Sequence, residues 1–277
     1  MKTDELITAT PFDRAAENYD REFTSSPIGL FQRKRVHHFL EKILDGSSSL
    51  KILEINCGTG EDAIWLARKG HEVMATDASA GMIDAAVKKC TREQKKLNIA
   101  FQAIPFGNLL NELQGNRYDI VFSDFGGLNC IDQEEMKKLA GDIRKLLRPG
   151  GKFVAVIMGR KCIWETGYFM VKGKWKQAFR RLGKHAVTAS VGSAFQHTWY
   201  FSPSEVNKFF GKDMVRVMIK PIGFALPPSY LGKFFNSRST LLSMLNSMER
   251  GSGFSFLADF SDHYFIVLEK KNNNQEI

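Results

Sequence analysis

The stretch Lys51-Ile-Leu-Glu-Ile-Asn-Cys-Gly-Thr-Gly-Glu-Asp-Ala63, followed by Val73-Met-Ala-Thr-Asp77, decides the fold of this chain. Ile52 to Ile55 is a short apolar run of buried-strand character that ends in a small-residue turn holding Gly58 and Gly60. A helix is expected from Asp62 to Lys69, stopped by Gly70 just past its end, where glycine is favoured. A second strand then carries an acid, Asp77, to its C-terminal tip. Glycines let backbone approach a ligand, and a carboxylate accepts hydrogen bonds from ribose hydroxyls. The sequence of strand, turn, helix, strand and acid therefore predicts a nucleoside site on an α/β sheet.

The same rhythm extends outward. Val36, Phe39, Leu40, Ile43 and Leu44 have helical spacing and end at Gly46. Further strands are expected near Ile99–Ala103, over Tyr118–Asp124 and over Lys152–Met158, with helices near 80–89 and over Glu134–Leu147. Strands separated by helices of this length imply βαβ units and a mostly parallel sheet. After Met158 the rhythm breaks, and residues 159–201 are basic and aromatic without clear alternation. Ser202-Pro-Ser-Glu205 reads as a helix start, Met214–Lys220 as a strand, Leu231–Met248 as helical and His263–Glu269 as the last strand. A final strand pair with no crossover helix directly before the last strand fits an antiparallel addition to a parallel sheet. The expected organisation is an N-terminal helical lid over 1–46, a core over 47–158 and 202–270, cap insertions over 159–201 and 221–258, and a disordered tail over 271–277.

With 277 residues, 43% hydrophobic and 25% charged, the composition is that of a globular chain. No signal-peptide pattern opens it, and no window has the run of about 18 apolar residues that a membrane span needs. Cys57, Cys90, Cys130 and Cys162 lie far apart, which predicts reduced, cytoplasmic thiols and neither a disulfide frame nor a metal site. The net charge of +9 is unevenly placed: residues 168–185 carry seven Lys and Arg and no acid. Solubility, an anionic lipid surface and nucleic acid are all open to such a run.

Taken alone, Gly58-x-Gly60-x-x-Ala63 with Asp77 nearly 20 residues on would also fit a dinucleotide site. Glu54 pulls away from that reading, because a carboxylate near the end of the first strand makes sense beside a cationic ligand. The lesser alternatives are that Glu54 is a buried acid with no ligand and that Asp77 caps the helix that follows it, alone or as well.

The order Glu54-x-Asn56-x-Gly58-x-Gly60, then Asp77, then Tyr118-Asp-Ile-Val-Phe122, then Leu147-Arg-Pro-Gly-Gly151 resembles the class I S-adenosylmethionine-dependent methyltransferases. Within them it is nearest the small-molecule branch that includes the ubiquinone- and menaquinone-biosynthesis methyltransferases. Phe12-Asp-Arg-Ala-Ala-Glu-Asn-Tyr19 resembles that branch's N-terminal helix. The resemblance covers residues 10–160, matches 200–270 in layout only and does not extend to 160–200. It implies a Rossmann-like, mostly parallel seven-stranded sheet with an antiparallel C-terminal edge strand, a helical and aromatic cap, and S-adenosyl-L-methionine as cofactor. It also implies that Glu54, Asn56, Gly58 and Gly60 face the methionine end and that Asp77 takes the ribose hydroxyls. Ala78 and Met82 would lie beside the adenine, Ser123, Asp124 and Phe125 near the sulfonium, and Tyr19 over the cofactor. Two departures stand out: Asn56 replaces the first turn glycine, and Ile104-Pro105-Phe106-Gly107 replaces the acid after the third strand, leaving Phe106 and backbone amides for the adenine.

The acceptor is expected outside the C-terminal strand ends, between Ser123–Cys130, the N-terminal helix and the two insertions. Gly126 and Gly127 suggest a loop passing close to a ligand. Candidate bases are Asp124, His38 and His197, each with the alternative of a surface or core role. Tyr168, Trp175, Phe195, Trp199, Tyr200 and Phe201 either build the cap's own core or line an apolar acceptor pocket. A small apolar or aromatic metabolite is the expected substrate, lipid-like ones included. The run 168–185 then suits peripheral contact with an anionic membrane. No stacking module surrounds that run, so nucleic acid is not the expected partner. RNA or protein methylation and dinucleotide oxidoreduction remain the alternatives.

Overall fold

The structure is a computed structural model that describes residues 12–272 except 14, 15, 17, 18, 192, 193, 236 and 237. Strands β1 (Lys51–Ile55), β2 (Glu72–Asp77), β3 (Ile99–Ala103), β4 (Tyr118–Ser123) and β5 (Leu147–Met158) form the parallel part of one sheet. β6 (Val187–Val191) and β7 (Ala194–Thr198) make a separate antiparallel hairpin, and β8 (Met214–Ile222) and β9 (His263–Lys270) complete the large sheet. Its strand order is β3-β2-β1-β4-β5-β9-β8. β9 runs antiparallel to both neighbours and lies between β5 and the edge strand β8.

Alternation along the strands divides the core in two. Leu53, Ile55, Val121, Phe153 and Ala155 face one side; Ile52, Ile120, Phe122, Val154 and Val156 face the other. Both faces are covered by helices, which is why the strands read as near-continuous apolar runs. Helices α1 (Pro27–Leu44), α2 (Glu61–Arg68) and α3 (Ala80–Cys90) cover the second face with Val36, Phe39, Leu40, Ala63, Leu66 and Ile83. Helix α4 (Gln133–Leu146) and, beyond a cap helix α5 (Ile163–Val171), helix α6 (Pro203–Phe210) cover the first with Met136, Leu139, Ile143, Val206 and Phe210. The α6 start has the expected capping box, Ser202 with Glu205, and Pro203 at its first position. Helix α7 (Ser239–Gly251) packs Leu242 on Ile28, Leu226 and Phe235 in a small third cluster.

The irregular reading of 159–201 is corrected by α5 and the β6–β7 hairpin. The hairpin stands apart from the main sheet, so its apolar pattern never had to match a buried face. Lys271 donates its amide to the Asp213 carbonyl, so the tail expected over 271–277 begins with a tied residue; residues 273–277 lie outside those described. The four cysteines are free thiols. Among the described residues no helix is long and apolar enough to cross a membrane.

Candidate active site

The parallel strands β1, β2 and β4 end on one side, and their tips carry the site. Asn56, directly after β1, sits in the left-handed region at φ +56°, where a non-glycine residue needs compensation. Its amide supplies that: Nδ2 donates to the Asp124 carbonyl at 2.7 Å, and Oδ1 accepts from the Ser123 hydroxyl at 2.5 Å. The side chain therefore ties the β1 tip to the β4 tip. A Cβ on Gly127 would fall 2.3 Å from Asn56 Cγ, so the close approach that demands this glycine is made to Asn56. Gly126 and Gly127 both border the cavity described next.

A cavity of about 370 Å³ opens above these tips. Tyr19, Asn56, Gly58, Asp77, Ala78, Met82, Phe106 and Phe125 all line it. Asp77 Oδ2 accepts the Gly58 amide at 2.8 Å and Oδ1 the Ser79 amide at 2.9 Å, so the turn and the acid orient each other. The helix cap is Ser79, whose hydroxyl accepts the Met82 amide, and Asp77 is left facing the cavity. Burial raises the Asp77 carboxyl above its ordinary value against the pull of these amides. Gly60 plays a packing part: a Cβ there would meet Ala86 at 2.9 Å and Phe101 at 3.0 Å. The N-terminal segment is laced to the same tips. Asp13 accepts from the Ser79 hydroxyl and the Gly81 amide, and Asp20 accepts from Thr59 and pairs with Lys89. Burial pushes the Tyr19 phenol up to about 12, so it stays neutral against the Gly58 turn.

Behind this wall lies a cluster of buried acids. Burial opposes ionisation of Asp62, yet Arg33 and His37 bring it down to about 2. Glu54 and Asp124 are pushed the other way, well above the carboxylate range, by burial first and then by Asp62. No donor reaches Glu54 Oε2 or Asp124 Oδ2. Glu54 and Asp124 lie behind the residues that line the cavity and are not themselves among them. Asp124 Oδ1 accepts the Phe125 amide, and burial favours the neutral form of its carboxyl.

The histidines expected as bases are elsewhere. His38 is exposed on the outer side of α1, because the helical spacing that buries Val36, Phe39 and Leu40 turns it away. His197 is exposed on β7, while its neighbours Gln196 and Thr198 line the cavity. The histidine on the wall is His263, at the start of β9. Its ring meets the Phe125 ring edge-on at 5.4 Å, and Nδ1 lies 3.2 Å from Asp262 Oδ2 in ion-pair geometry. Burial would raise Asp262, but His263 and Arg181 hold it well below the usual carboxylate range.

Arg181 is buried between Asp262 and Glu165, with Nη2 2.8 Å and 2.7 Å from their carboxyls. Arg180 chelates Glu165 through Nε and Nη2. These two arginines, read in the sequence as part of an open basic run, face inward and line the cavity. The Gln32 amide nitrogen, buried and without a partner, lies on the same wall. Asn129 fixes the hairpin to the sheet, bonding both polar groups of Met158 and the carbonyl of Trp199. Glu249 pins the second insertion by accepting the amides of Gly223, Ala225 and Leu226. Of the six cap aromatics only Tyr200 lines the cavity; Phe201 is in the main core, and Trp175 and Phe195 face outward. Gln32, Asp262 and His263 carried no signal in the sequence, and Arg181 was marked only as one cation of the basic run.

Residues 52–151 match the family model described as "Methyltransferase domain". Among curated proteins, a demethylmenaquinone methyltransferase of Leptospira interrogans is 27% identical over 152 residues, 54% of this chain and 59% of that protein. The chain thus spans well under two thirds of that relative's length. Among solved structures, the CcbJ methyltransferase from Streptomyces caelestis superposes with a TM-score of 0.62 at 18% identity, over 95% of this chain and 98% of that one. Magnesium protoporphyrin IX methyltransferase from Synechocystis PCC 6803, solved with bound S-adenosylhomocysteine, gives 0.58 at 14% identity, over 88% and 85%. At such identities the superpositions establish the fold.

Proposed function

We propose that this chain, a class I S-adenosylmethionine-dependent methyltransferase by family and fold, transfers a methyl group to a small molecule with an apolar or aromatic body and one polar head. The observation that carries the reading is the single cavity with two unlike walls meeting at Phe125. Asp77 would hold the ribose hydroxyls, Met82, Ala78 and Phe106 the adenine, and Glu54 with the Asn56–Gly58 turn the methionine end. Bound there, the cofactor supplies an electrophilic methyl group on a cationic sulfonium.

The protein's part is alignment and exclusion of water. Tyr19 and the laced N-terminal segment cover the donor side. Met158, Tyr200 and Phe125 would take the apolar body of the acceptor, with Gln32 and Arg181 close enough to the same wall to meet its polar head. If that head is a hydroxyl, His263 is placed to take its proton, with Asp262 stabilising the imidazolium. The curated relative's name supports a small molecule of quinone type; the acceptor atom is part of the proposal.

The test is calorimetry with S-adenosylhomocysteine and with NAD, followed by screening of a metabolite extract with methyl-labelled cofactor. Binding of the former alone and transfer of label to a small apolar product are expected. Binding of NAD alone, or label only in RNA or protein, would overturn the reading.

A further inference from the structure

The basic run has an outer face that methyl transfer does not use. Ile163, Met170, Val171, Trp175, Phe179 and Leu182 are all exposed, Val171 at 91% and Trp175 at 59%. Single exposed apolar side chains are ordinary, but six within 20 residues of chain are not. Ile163, Gly167, Met170 and Lys174 are exposed at helical spacing along one side of α5 and its end. Lys161, Lys172, Lys174, Lys176 and Lys184 are exposed among them. The acid in this stretch, Glu165, is 1% exposed and bound to Arg180 and Arg181, so the outer surface from 161 to 185 shows cations and no carboxylate.

We infer that this face binds the surface of an anionic bilayer, with Trp175 and the aliphatic side chains in the headgroup boundary and the lysines on the lipid phosphates. Apolar side chains interleaved with lysine are what interfacial binding needs, since each supplies one of its two terms. RNA would engage the lysines and stack on Trp175, but it has no use for exposed Ile163, Met170, Val171 and Leu182. An acidic protein partner would likewise leave those aliphatic groups beside charge. The inner side of the same segment, Arg180 and Arg181, lines the acceptor wall of the cavity. A lipid-soluble acceptor would then pass from the bilayer under the cap. Only this last step rests on the proposed function; the docking itself does not.

The test is flotation of the full chain with vesicles of phosphatidylglycerol and phosphatidylcholine, against vesicles of phosphatidylcholine alone. Flotation with the anionic vesicles only, weakened by salt, is expected. Neutralising Lys172, Lys174 and Lys176 to Gln should lower the affinity by on the order of a hundredfold, roughly fivefold per lysine. Val171→Ser with Trp175→Ser should weaken binding at unchanged charge. Calorimetry with S-adenosylhomocysteine on each variant shows that it is folded and keeps the methyltransferase reading separate. Absence of flotation by protein that binds S-adenosylhomocysteine would overturn the inference. So would equal binding to neutral vesicles, insensitivity to both sets of substitutions, or a tRNA gel shift lost with the same lysines while vesicles are ignored.

Discussion

The two walls of the cavity are made in opposite ways. The proposed donor wall comes from adjacent strand tips of one parallel sheet, and its parts position one another through direct hydrogen bonds between those tips. Asp77 holds Gly58 and Ser79; Asn56 holds Ser123 and Asp124. The acceptor wall is assembled from α1, the end of β5, the α5 insertion, the hairpin and the start of β9. It is held by buried ion pairs: Glu165 with Arg180 and Arg181, and Arg181 with Asp262. A ligand common to a whole fold can be met by geometry that the parallel sheet itself fixes at its strand tips. A ligand particular to one enzyme is met by segments that vary, and those need cross-links to stand.

If the walls are separable in this way, changes on one should spare the other. His263→Ala should lower turnover of a hydroxyl acceptor by about 10²–10⁴ and leave S-adenosylhomocysteine affinity unchanged. Unchanged turnover with the labelled product in hand would remove His263 from the chemistry. Glu165→Ala leaves Arg181 buried with one partner fewer, and should cost about 3 kcal/mol in denaturant unfolding. Below its melting range it should still bind S-adenosylhomocysteine; equal loss of donor affinity would break the comparison.

Asp77→Ala is the converse. It should weaken S-adenosylhomocysteine by about 2 kcal/mol, roughly 30-fold by calorimetry, while the cap arginines keep their partners. Gly127→Ala drives a methyl into the Asn56 side chain and should destabilise by about 1–2 kcal/mol. Adding Asn56→Gly, which also suits the positive φ, should recover most of that loss. No recovery would mean that the glycine answers to something other than Asn56.

The smallest effect is a pH dependence. Burial would raise Glu205, but Arg160 and Ser202 bring it down from 4.5 to about 2. A carboxyl lowered on folding adds stability above its unfolded value, and that stability is lost as pH falls through the folded one. Unfolding curves between pH 4.5 and 2 should therefore be flatter for Glu205→Gln than for the parent chain.

The donor wall was legible because its residues lie close in sequence and obey a spacing. Strand tip, glycine turn and acid follow one another within 51–77, and Asn56, Gly58 and Asp77 of that stretch line the cavity. Asn56 was visible as a departure, but its purpose needed Gly127 in space, 71 positions on. The acceptor wall was not legible. His263 and Arg181 are brought together by Asp262, 81 positions from Arg181, and no local pattern encodes such a meeting. His38 and His197 were attractive only as histidines. The hairpin escaped because its alternation, Val187-Thr-Ala-Ser-Val191, is short and stands among basic and aromatic residues that hide it.

The place of β9 has a consequence for the order of assembly. β8 pairs in the large sheet with β9 alone, and β9 fills the gap beside β5. Until residues 263–270 arrive, β8 has no partner strand and β5 presents an open, fully apolar edge in its stretch Phe153–Ile157. Pairing across that span closes a long loop, which slows folding and prolongs exposure of both edges. The last strand to be made is the one that seals the sheet, and its first residue, His263, delivers the acceptor wall's histidine in the same event.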